Sequence, residues 1–443
     1  MKENKMGTMP VNKLLITMAL PIVISMLIQA LYNVVDSIFV AKINEDALTA
    51  LSLAFPMQNL IIAAATGTGV GINALLSKKL GEKDFPYANK VACNGIVIEL
   101  CAFLVFFIIG IFAVPAFIKS QTDIPSIAEY GIEYLRICCI FSFGVFLQIT
   151  FERLLQATGK TIYSMITQMT GAIVNIILDP ILIFGFSMGV KGAAIATILG
   201  QFVSATIGFI LNKKRNTEIK LSIRDCKLSS NICSKILAVG IPSIIMASIG
   251  SVMTFSMNKI LMVLSSTAVA VFGIYFKLQS LILMPIFGLN NGMVPIIAYN
   301  YGARKKERLI KTIKLSVMYA LIIMFFGLAA MQIFPKQLLY MFDASENMIE
   351  IGIVALRTIS LSFIFAGFCI IATSVFQAFG NGLCSMFISI ARQLLVLVPV
   401  AYLFSLTSNV NLVWFAFPIA EIASMILCCV YLIKIYKNII RDL

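Results

Sequence analysis

The chain has 443 residues, of which 60% are hydrophobic and only 12% are charged. A soluble chain of this length could not bury so much apolar surface, which excludes an ordinary soluble enzyme, a disordered protein and a nucleic-acid-binding protein. The formal net charge of +14 is therefore expected to mark the cytoplasmic side of a membrane protein. The absence of histidine excludes histidine metal sites and histidine-dependent nucleophiles, so we expect neither an enzyme nor a cofactor.

Twelve apolar runs are each long enough to form a membrane-spanning helix, which needs about 20 residues. In chain order they predict spans 1 to 12 at residues 12–40, 47–76, 90–113, 127–151, 161–184, 190–211, 233–260, 267–297, 311–333, 350–376, 383–405 and 411–436. The predicted fold class is thus an all-α integral membrane protein. The polar, basic segment 212–232 predicts a linker between two six-helix halves, residues 1–220 and 221–443.

The basic residues predict the orientation of the chain. Most Lys and Arg residues fall in the two termini and in the loops between spans 2 and 3, 4 and 5, 6 and 7, and 8 and 9. An even number of spans places all of these segments on one face. The positive-inside rule then predicts that both termini are cytoplasmic, in an inner or plasma membrane.

The two halves form an internal repeat. A shift of 221 residues superimposes Pro21 on Pro242, the glycines 67, 71 and 81 on 288, 292 and 302, and Gln156-Ala157 on Gln377-Ala378. Because each repeat holds six spans, both halves enter the membrane in the same orientation. This arrangement predicts a pseudo-two-fold axis along the membrane normal and a cavity between the halves, as in secondary transporters, although a channel or a scaffold is an alternative.

Polar residues at membrane depth are candidates for function, because burying them there is unfavourable. The first half contains Asp36 and Glu152 in spans 1 and 4, Asn175 and Asp179 one turn apart in span 5, and Thr197 in span 6. Their repeat mates are, in the same order, Met257, Thr373, Val396, Val400 and Pro418. The repeat therefore keeps the glycines and prolines that pack helices and loses the oxygen-bearing side chains, which predicts a functional site in the first half alone.

We call Asp36, Asn175, Asp179 and Thr197 the oxygen cluster. Their carboxylate, amide and hydroxyl oxygens suit a hard cation such as Na⁺. A carboxylate deprived of water among apolar helices also favours its protonated form, so the cluster, with Glu152, could carry a proton instead. Both coupling ions, H⁺ and Na⁺, stay open at this stage, and either predicts ion-coupled exchange.

A substrate path is predicted from further polar residues at membrane depth. Gln29 and Asn33 lie in span 1 with Asp36, and Lys277 and Arg392 are cations inside spans 8 and 11. Glu421 in span 12 could neutralise one of these two cations. The alternatives for the cations are a structural ion pair and a part of the substrate path.

These residues resemble the multidrug and toxic compound extrusion (MATE) family over nearly the whole chain. The resemblance is carried by residues 32–40 (YNVVDSIFV), 156–159 (QATG), 175–180 (NIILDP) and 189–197 (GVKGAAIAT). It implies a V-shaped pair of six-helix bundles that exports organic cations and other drugs in exchange for H⁺ or Na⁺.

Within the family, the chain is most similar to the DinF-type branch. That branch has an Asp in helix 1, an Asn and an Asp in helix 5 and a Thr in helix 6, which the oxygen cluster matches. The branch often has an Asn near the place of Glu152, so this extra carboxylate is a departure. The second-half carboxylates of the NorM-type branch have no evident counterpart here. The resemblance implies that Asp36 is the ion-coupled switch, and Pro21 is expected to bend span 1.

The sequence thus predicts a monomeric antiporter whose partners are small organic cations, drugs and the lipid bilayer. The alternative is a lipid-linked oligosaccharide flippase of the same wider superfamily. A flippase would need a strongly cationic cavity to bind pyrophosphate, and only Lys277 and Arg392 favour it.

Overall fold

The computed structural model describes residues 4–221, 227–342, 344–441 and 443, and these form helices and short connections without a strand. Ten helices are long and apolar enough to cross a membrane, and two bent helix pairs complete a set of twelve spans. Spans 1 to 6 are Val11–Ala41, Glu45–Gly81, Phe85–Phe112, the pair Pro125–Ile140 and Phe143–Ala157, Thr161–Gly185, and Gly189–Arg215. Spans 7 to 12 are Ser230–Leu264, Ser266–Gly302, Lys306–Ile333, the pair Glu346–Ser360 and Phe363–Ala378, Gly382–Ser405, and Val410–Ile440. The all-α fold with two six-helix bundles is confirmed.

The helices extend beyond the apolar runs that predict them. Span 2, for example, runs to Gly81 instead of residue 76, and span 4 runs to Ala157 instead of residue 151. Hydrophobicity marks only the part of a helix at lipid depth, whereas its backbone hydrogen bonds continue into polar residues. The boundary predicted between residues 220 and 221 adjoins residues 222–226, which are outside the described ranges, so the division of the chain at that point stays a prediction.

Spans 4 and 10 are each bent by 47°, where the sequence predicted continuous helices. A serine at each bend binds a carbonyl of the preceding helix: Ser142 donates to Cys139 over 2.8 Å, and Ser362 donates to Ile359 over 2.6 Å. The backbone N–H groups of the same two serines also donate to these carbonyls, so each serine closes a tight turn at the end of its helix. The two halves therefore share the bend as well as the helix order.

The repeated glycines form the contact between the halves. Gly67 in span 2 packs against Ile244 in span 7, and its repeat mate Gly288 in span 8 packs against Val23 in span 1. The residues at these two contacts differ by the same 221-residue shift. Exchanging the halves therefore maps one contact onto the other, as a pseudo-two-fold axis requires.

A second symmetric contact lies at the end of these helices nearest the termini. A β-carbon on Gly81 would overlap the carbonyl oxygen of Tyr299, and a β-carbon on Gly302 would overlap that of Lys78. Only glycine permits backbones to approach this closely. The face that carries the termini is therefore closed.

The N-terminal segment adds contacts to this closed face. Asn4 donates to both carboxylate oxygens of Glu218, at 2.8 and 2.7 Å, in the connection that follows span 6. The carbonyl of Met6 accepts from Asn300 and Arg308, both at 3.1 Å, in the second half. The segment thus bridges the halves.

The symmetric glycine contacts give a testable prediction. Gly81→Ala and Gly302→Ala should each destabilise the protein by about 1–3 kcal/mol, because the new methyl group forces the two backbones apart. Thermal unfolding of the purified protein in detergent measures this effect. Gly250→Ala is the control, because no atom lies within 4 Å of a β-carbon at that helical position. Equal melting of Gly81→Ala and Gly250→Ala would contradict the packing role.

Candidate cation site and substrate cavity

A cavity of about 1110 Å³ lies between the two halves. Seven of the residues predicted from the sequence line it: Gln29, Asn33, Asp36, Glu152, Asn175, Thr197 and Arg392. Asp179 does not line the cavity but contacts Asp36 from behind. Lys277 does not line it either. The structure therefore places nearly all of the predicted residues in the wall of one cavity.

Asp36 and Asp179 form a pair of buried carboxyl groups. Their side chains are 9% and 0% exposed, and they lie within hydrogen-bonding reach of each other. The Oδ1 atom of each has no hydrogen-bond partner among the described residues. Two carboxylates this close repel each other strongly unless they share a proton or bind a cation. A pair with this chemistry suits one shared positive charge, such as a proton or a hard cation.

Asn175 connects this pair to span 6. With its amide nitrogen turned toward Asp179, it donates to Asp179 Oδ2 over 2.9 Å. In that orientation its oxygen accepts from the hydroxyl and the backbone N–H of Thr197, at 3.3 and 3.0 Å. Asn175 thus links Asp179 in span 5 to Thr197 in span 6, beside Asp36 in span 1.

Local sequence explains how spans 5 and 6 come this close. Gly171 and Gly200 face each other, and a β-carbon on Gly200 would lie only 2.8 Å from the Gly171 carbonyl oxygen. The α-helix of span 5 ends at Pro180, which lacks a backbone N–H, and continues as a π-helical turn, Ile181–Gly185. This irregular turn directly follows Asp179.

Tyr32 is a member of the site that the sequence reasoning did not select. It lines the cavity, and its hydroxyl lies within hydrogen-bonding reach of Thr197. The available signal was its position one helical turn before Asp36, which places both side chains on one face of span 1.

Glu152 lies apart from the oxygen cluster. Its carboxylate accepts from Gln148 over 3.0 Å, next to Arg153, and within the described ranges it makes no hydrogen bond to the cluster. The cavity therefore carries acidic groups at two places in the first half.

Arg153 was also missed by the sequence reasoning. It is buried, lines the cavity, and donates from Nη1 to Gln156 Oε1 and to Asn291 Oδ1, both at 2.9 Å. Asn291 belongs to span 8, so this bond joins the two halves. Arg153 follows the predicted end of span 4 at residue 151, so the apolar run alone does not place it at membrane depth.

The two cations predicted in the second half have different positions. Lys277 is exposed, and its ammonium lies 5.7 Å from the centre of the Phe342 ring, away from the cavity. Its long side chain reaches out from the helix, as lysines near a membrane surface often do. Arg392 lines the cavity and pairs with Glu421 over 3.0 Å, so Glu421 neutralises Arg392 and not Lys277.

The donors of the oxygen cluster indicate which kind of ion the cluster suits. Across the described ranges, no group of three or more His, Cys, Asp or Glu side chains could hold a metal ion together. The oxygen cluster instead offers two carboxylates, one amide and one hydroxyl. Such donors suit a proton or a hard cation.

The bond between the halves at Arg153 gives a second prediction. In a double-mutant cycle, Arg153→Gln and Asn291→Leu should show a coupling energy of about 1.5 kcal/mol, because a hydrogen bond from a charged donor is lost in either variant. Thermal unfolding of the four proteins in detergent measures the coupling. Additive effects of the two substitutions would show that the contact does not stabilise this arrangement of the halves.

Comparison with known proteins supports one family. The family model MatE matches residues 21–181 and again residues 242–403. The two matches begin 221 residues apart, which confirms the internal repeat. Together they cover more than half of the chain.

Relatives and solved structures agree along the full length. The multidrug export protein MepA of Staphylococcus aureus is 26% identical over 434 residues, covering 96% of this chain and 94% of that protein. The outward-facing conformation of a multidrug resistance MATE family transporter of the MOP superfamily has a TM-score of 0.92 and 28% identity, with 99% of this chain and 98% of that chain covered. A MOP superfamily transporter from Pyrococcus furiosus, for which reverse polarity of the binding pocket suggests a different function, also has a TM-score of 0.92 and 28% identity, over 99% of both chains.

Proposed function

We propose that this chain, which belongs to the MatE family, is a multidrug export transporter that exchanges organic cations and other amphipathic drugs for H⁺ or Na⁺. The multidrug export function of the MepA relative supports the choice of substrate. The contact between Asp36 and Asp179 beside the cavity is the observation that supports ion coupling. Its place within the family, in the DinF-type branch, stays a prediction.

The exchange follows from the electrostatics of the carboxyl pair. A proton or Na⁺ bound between Asp36 and Asp179 removes the repulsion between them, and its departure restores that repulsion. An organic cation in the cavity is attracted to the pair only while the pair carries uncompensated negative charge. Ion and drug therefore bind in alternation, which is the requirement for antiport.

Span 1 connects this charge to the arrangement of the halves. It packs against span 5, which carries Asp179, and against span 8 of the second half. Pro21 lies inside span 1 and removes one backbone hydrogen bond, so a change at Asp36 can alter the bend of this helix. Movement of span 1 would then loosen its contact with span 8 and open the face that the glycines close.

The charge distribution supports an orientation in the cell membrane. Basic residues such as Lys78, Lys79, Arg304 and Arg308 lie near the closed face that carries the termini. With this face in the cytoplasm, the cavity lies on the outer side of the closed contact. The protein would work as a monomer, since each chain contains both halves of the cavity.

The flippase alternative has no specific support in the site. It needs several unpaired cations for the multiple charges of a pyrophosphate, whereas Lys277 lies outside the cavity. Arg392 is paired with Glu421, and Arg153 lies next to Glu152. Asp36 and Glu152 add negative charge to the cavity wall, which opposes binding of a pyrophosphate group.

The coupling role of Asp36 is tested by dye transport. Asp36→Asn should reduce efflux of rhodamine 123 from proteoliposomes by about 100-fold or more, because loss of the charge removes the alternation between ion and drug. Efflux is measured with an imposed H⁺ gradient and, separately, with an imposed Na⁺ gradient, and the gradient that drives the wild type identifies the coupling ion. Asp123→Asn, on an exposed loop, is the matched control.

Two results would contradict this proposal. Normal transport by Asp36→Asn under both gradients would remove Asp36 from the mechanism. If neither the H⁺ gradient nor the Na⁺ gradient drives any organic cation through the wild-type protein, ion-coupled drug export itself is wrong and the flippase is favoured.

A further inference from the structure

The ion pair of Arg392 and Glu421 lies at two positions where the first half has glycines. The 221-residue shift relates Arg392 to Gly171 and Glu421 to Gly200. In the first half these two glycines bring spans 5 and 6 into backbone contact. In the second half the same two positions of spans 11 and 12 carry a guanidinium and a carboxylate, with Arg392 Nη1 donating to Glu421 Oε1 over 3.0 Å.

The repeated architecture does not require an ion pair at these two positions. The glycine contact in the first half shows that the same helix pair packs without charges. Moving two charges out of water is unfavourable, and replacing a buried ion pair with uncharged residues is often neutral or stabilising. Its presence therefore favours a role other than stability.

The geometry directs Arg392 toward the cavity. Arg392 lines the cavity, whereas Glu421 does not and lies behind it, with side-chain exposures of 23% and 14%. Nη1 is held by Glu421, and Arg392 makes no other hydrogen bond within the described ranges. A guanidinium has five N–H donors, so several remain for a ligand. Glu421 thus fixes the orientation of a donor group that faces the cavity.

The surrounding wall supports a binding role. Ser389 and Gln393 line the cavity beside Arg392 and offer further polar groups. Span 11 changes to a π-helix over Ala391–Leu397, the segment that contains Arg392. Such irregular turns within α-helices are frequent at functional sites.

We propose that Arg392 binds an anionic group, such as a carboxylate or a sulfonate, of amphoteric substrates. Asp36 and Glu152 line the same cavity from the first half and attract the cationic group of the same molecule. The two halves of the cavity thus bind opposite charges, and a substrate that carries both is oriented between them. The inference rests on the proposed export function and adds to it the residue that binds the anionic group of a substrate.

A pair of dyes tests this site. Rhodamine 123 is a monocation, and rhodamine 110 has the same fluorophore with a free carboxylate in place of the methyl ester. Arg392→Gln should reduce transport of rhodamine 110 into proteoliposomes about 10-fold, the usual effect of losing a charged hydrogen bond. Transport of rhodamine 123 should be unchanged. Arg392→Lys retains the charge without the planar donor pair and should give an intermediate loss.

Arg392→Gln leaves Glu421 buried without its partner, which can impair folding. A second variant therefore serves as a control. The double substitution Arg392→Gly with Glu421→Gly copies the glycine contact of the first half and should fold. It should transport rhodamine 123 and discriminate against rhodamine 110 as strongly as Arg392→Gln does.

The outcomes separate this inference from the export function. If the wild type transports rhodamine 123 but not rhodamine 110, or if the double variant transports rhodamine 110 like the wild type, the anion site is wrong and export stands. A parallel loss of both dyes in the double variant, with wild-type melting, would also overturn it, because such a loss shows no selectivity for the carboxylate. If the wild type transports neither dye, export itself fails and the inference fails with it.

Discussion

The contact between the carboxyl groups of Asp36 and Asp179 is the constraint on which the account of this protein depends. Both groups are buried, and each keeps one oxygen without a hydrogen-bond partner among the described residues. Two negative charges at this separation are strongly unfavourable in a medium of low dielectric constant. A single positive charge, whether a proton or Na⁺, relieves the repulsion. The state of the pair can therefore control the helices that carry it, spans 1 and 5.

The two halves share their helix-packing contacts but differ in their polar residues. Gly67 and Gly288, like Gly81 and Gly302, make equivalent contacts in the two halves and close one face of the molecule. The oxygen cluster has no counterpart in the second half, and the pair of Arg392 and Glu421 has none in the first. The repeated helices thus line the cavity from both halves. Charged residues that occur in only one half make the two walls different. In the proposed mechanism, that difference allows one wall to bind the coupling ion while both walls contact the substrate.

Much of this arrangement could be predicted from the sequence, because its signals are local. Apolar runs predict twelve spans, and the shift of 221 residues predicts the glycine contacts. The oxygen cluster was found because its residues break the repeat. The sequence did not predict the bends in spans 4 and 10, since Phe141-Ser142 and Leu361-Ser362 lie inside apolar runs and do not reveal a break. Arg153 was missed because hydrophobicity ends before span 4 does, and the positions of Glu152 and Lys277 depend on how helices rotate against each other in the tertiary structure.

The central claim is that the pair of Asp36 and Asp179 holds one exchangeable positive charge. Infrared difference spectroscopy of the purified protein tests it most directly, because a protonated carboxyl group has its own C=O stretching band. Addition of rhodamine 123 at constant pH, in the absence of Na⁺, should remove that band in the wild type and leave the spectrum of Asp36→Asn unchanged. If the pair is specific for Na⁺, addition of Na⁺ should instead shift the stretching bands of the ionised carboxylates, and addition of the drug should reverse that shift. An identical difference spectrum in the wild type and Asp36→Asn would contradict the account.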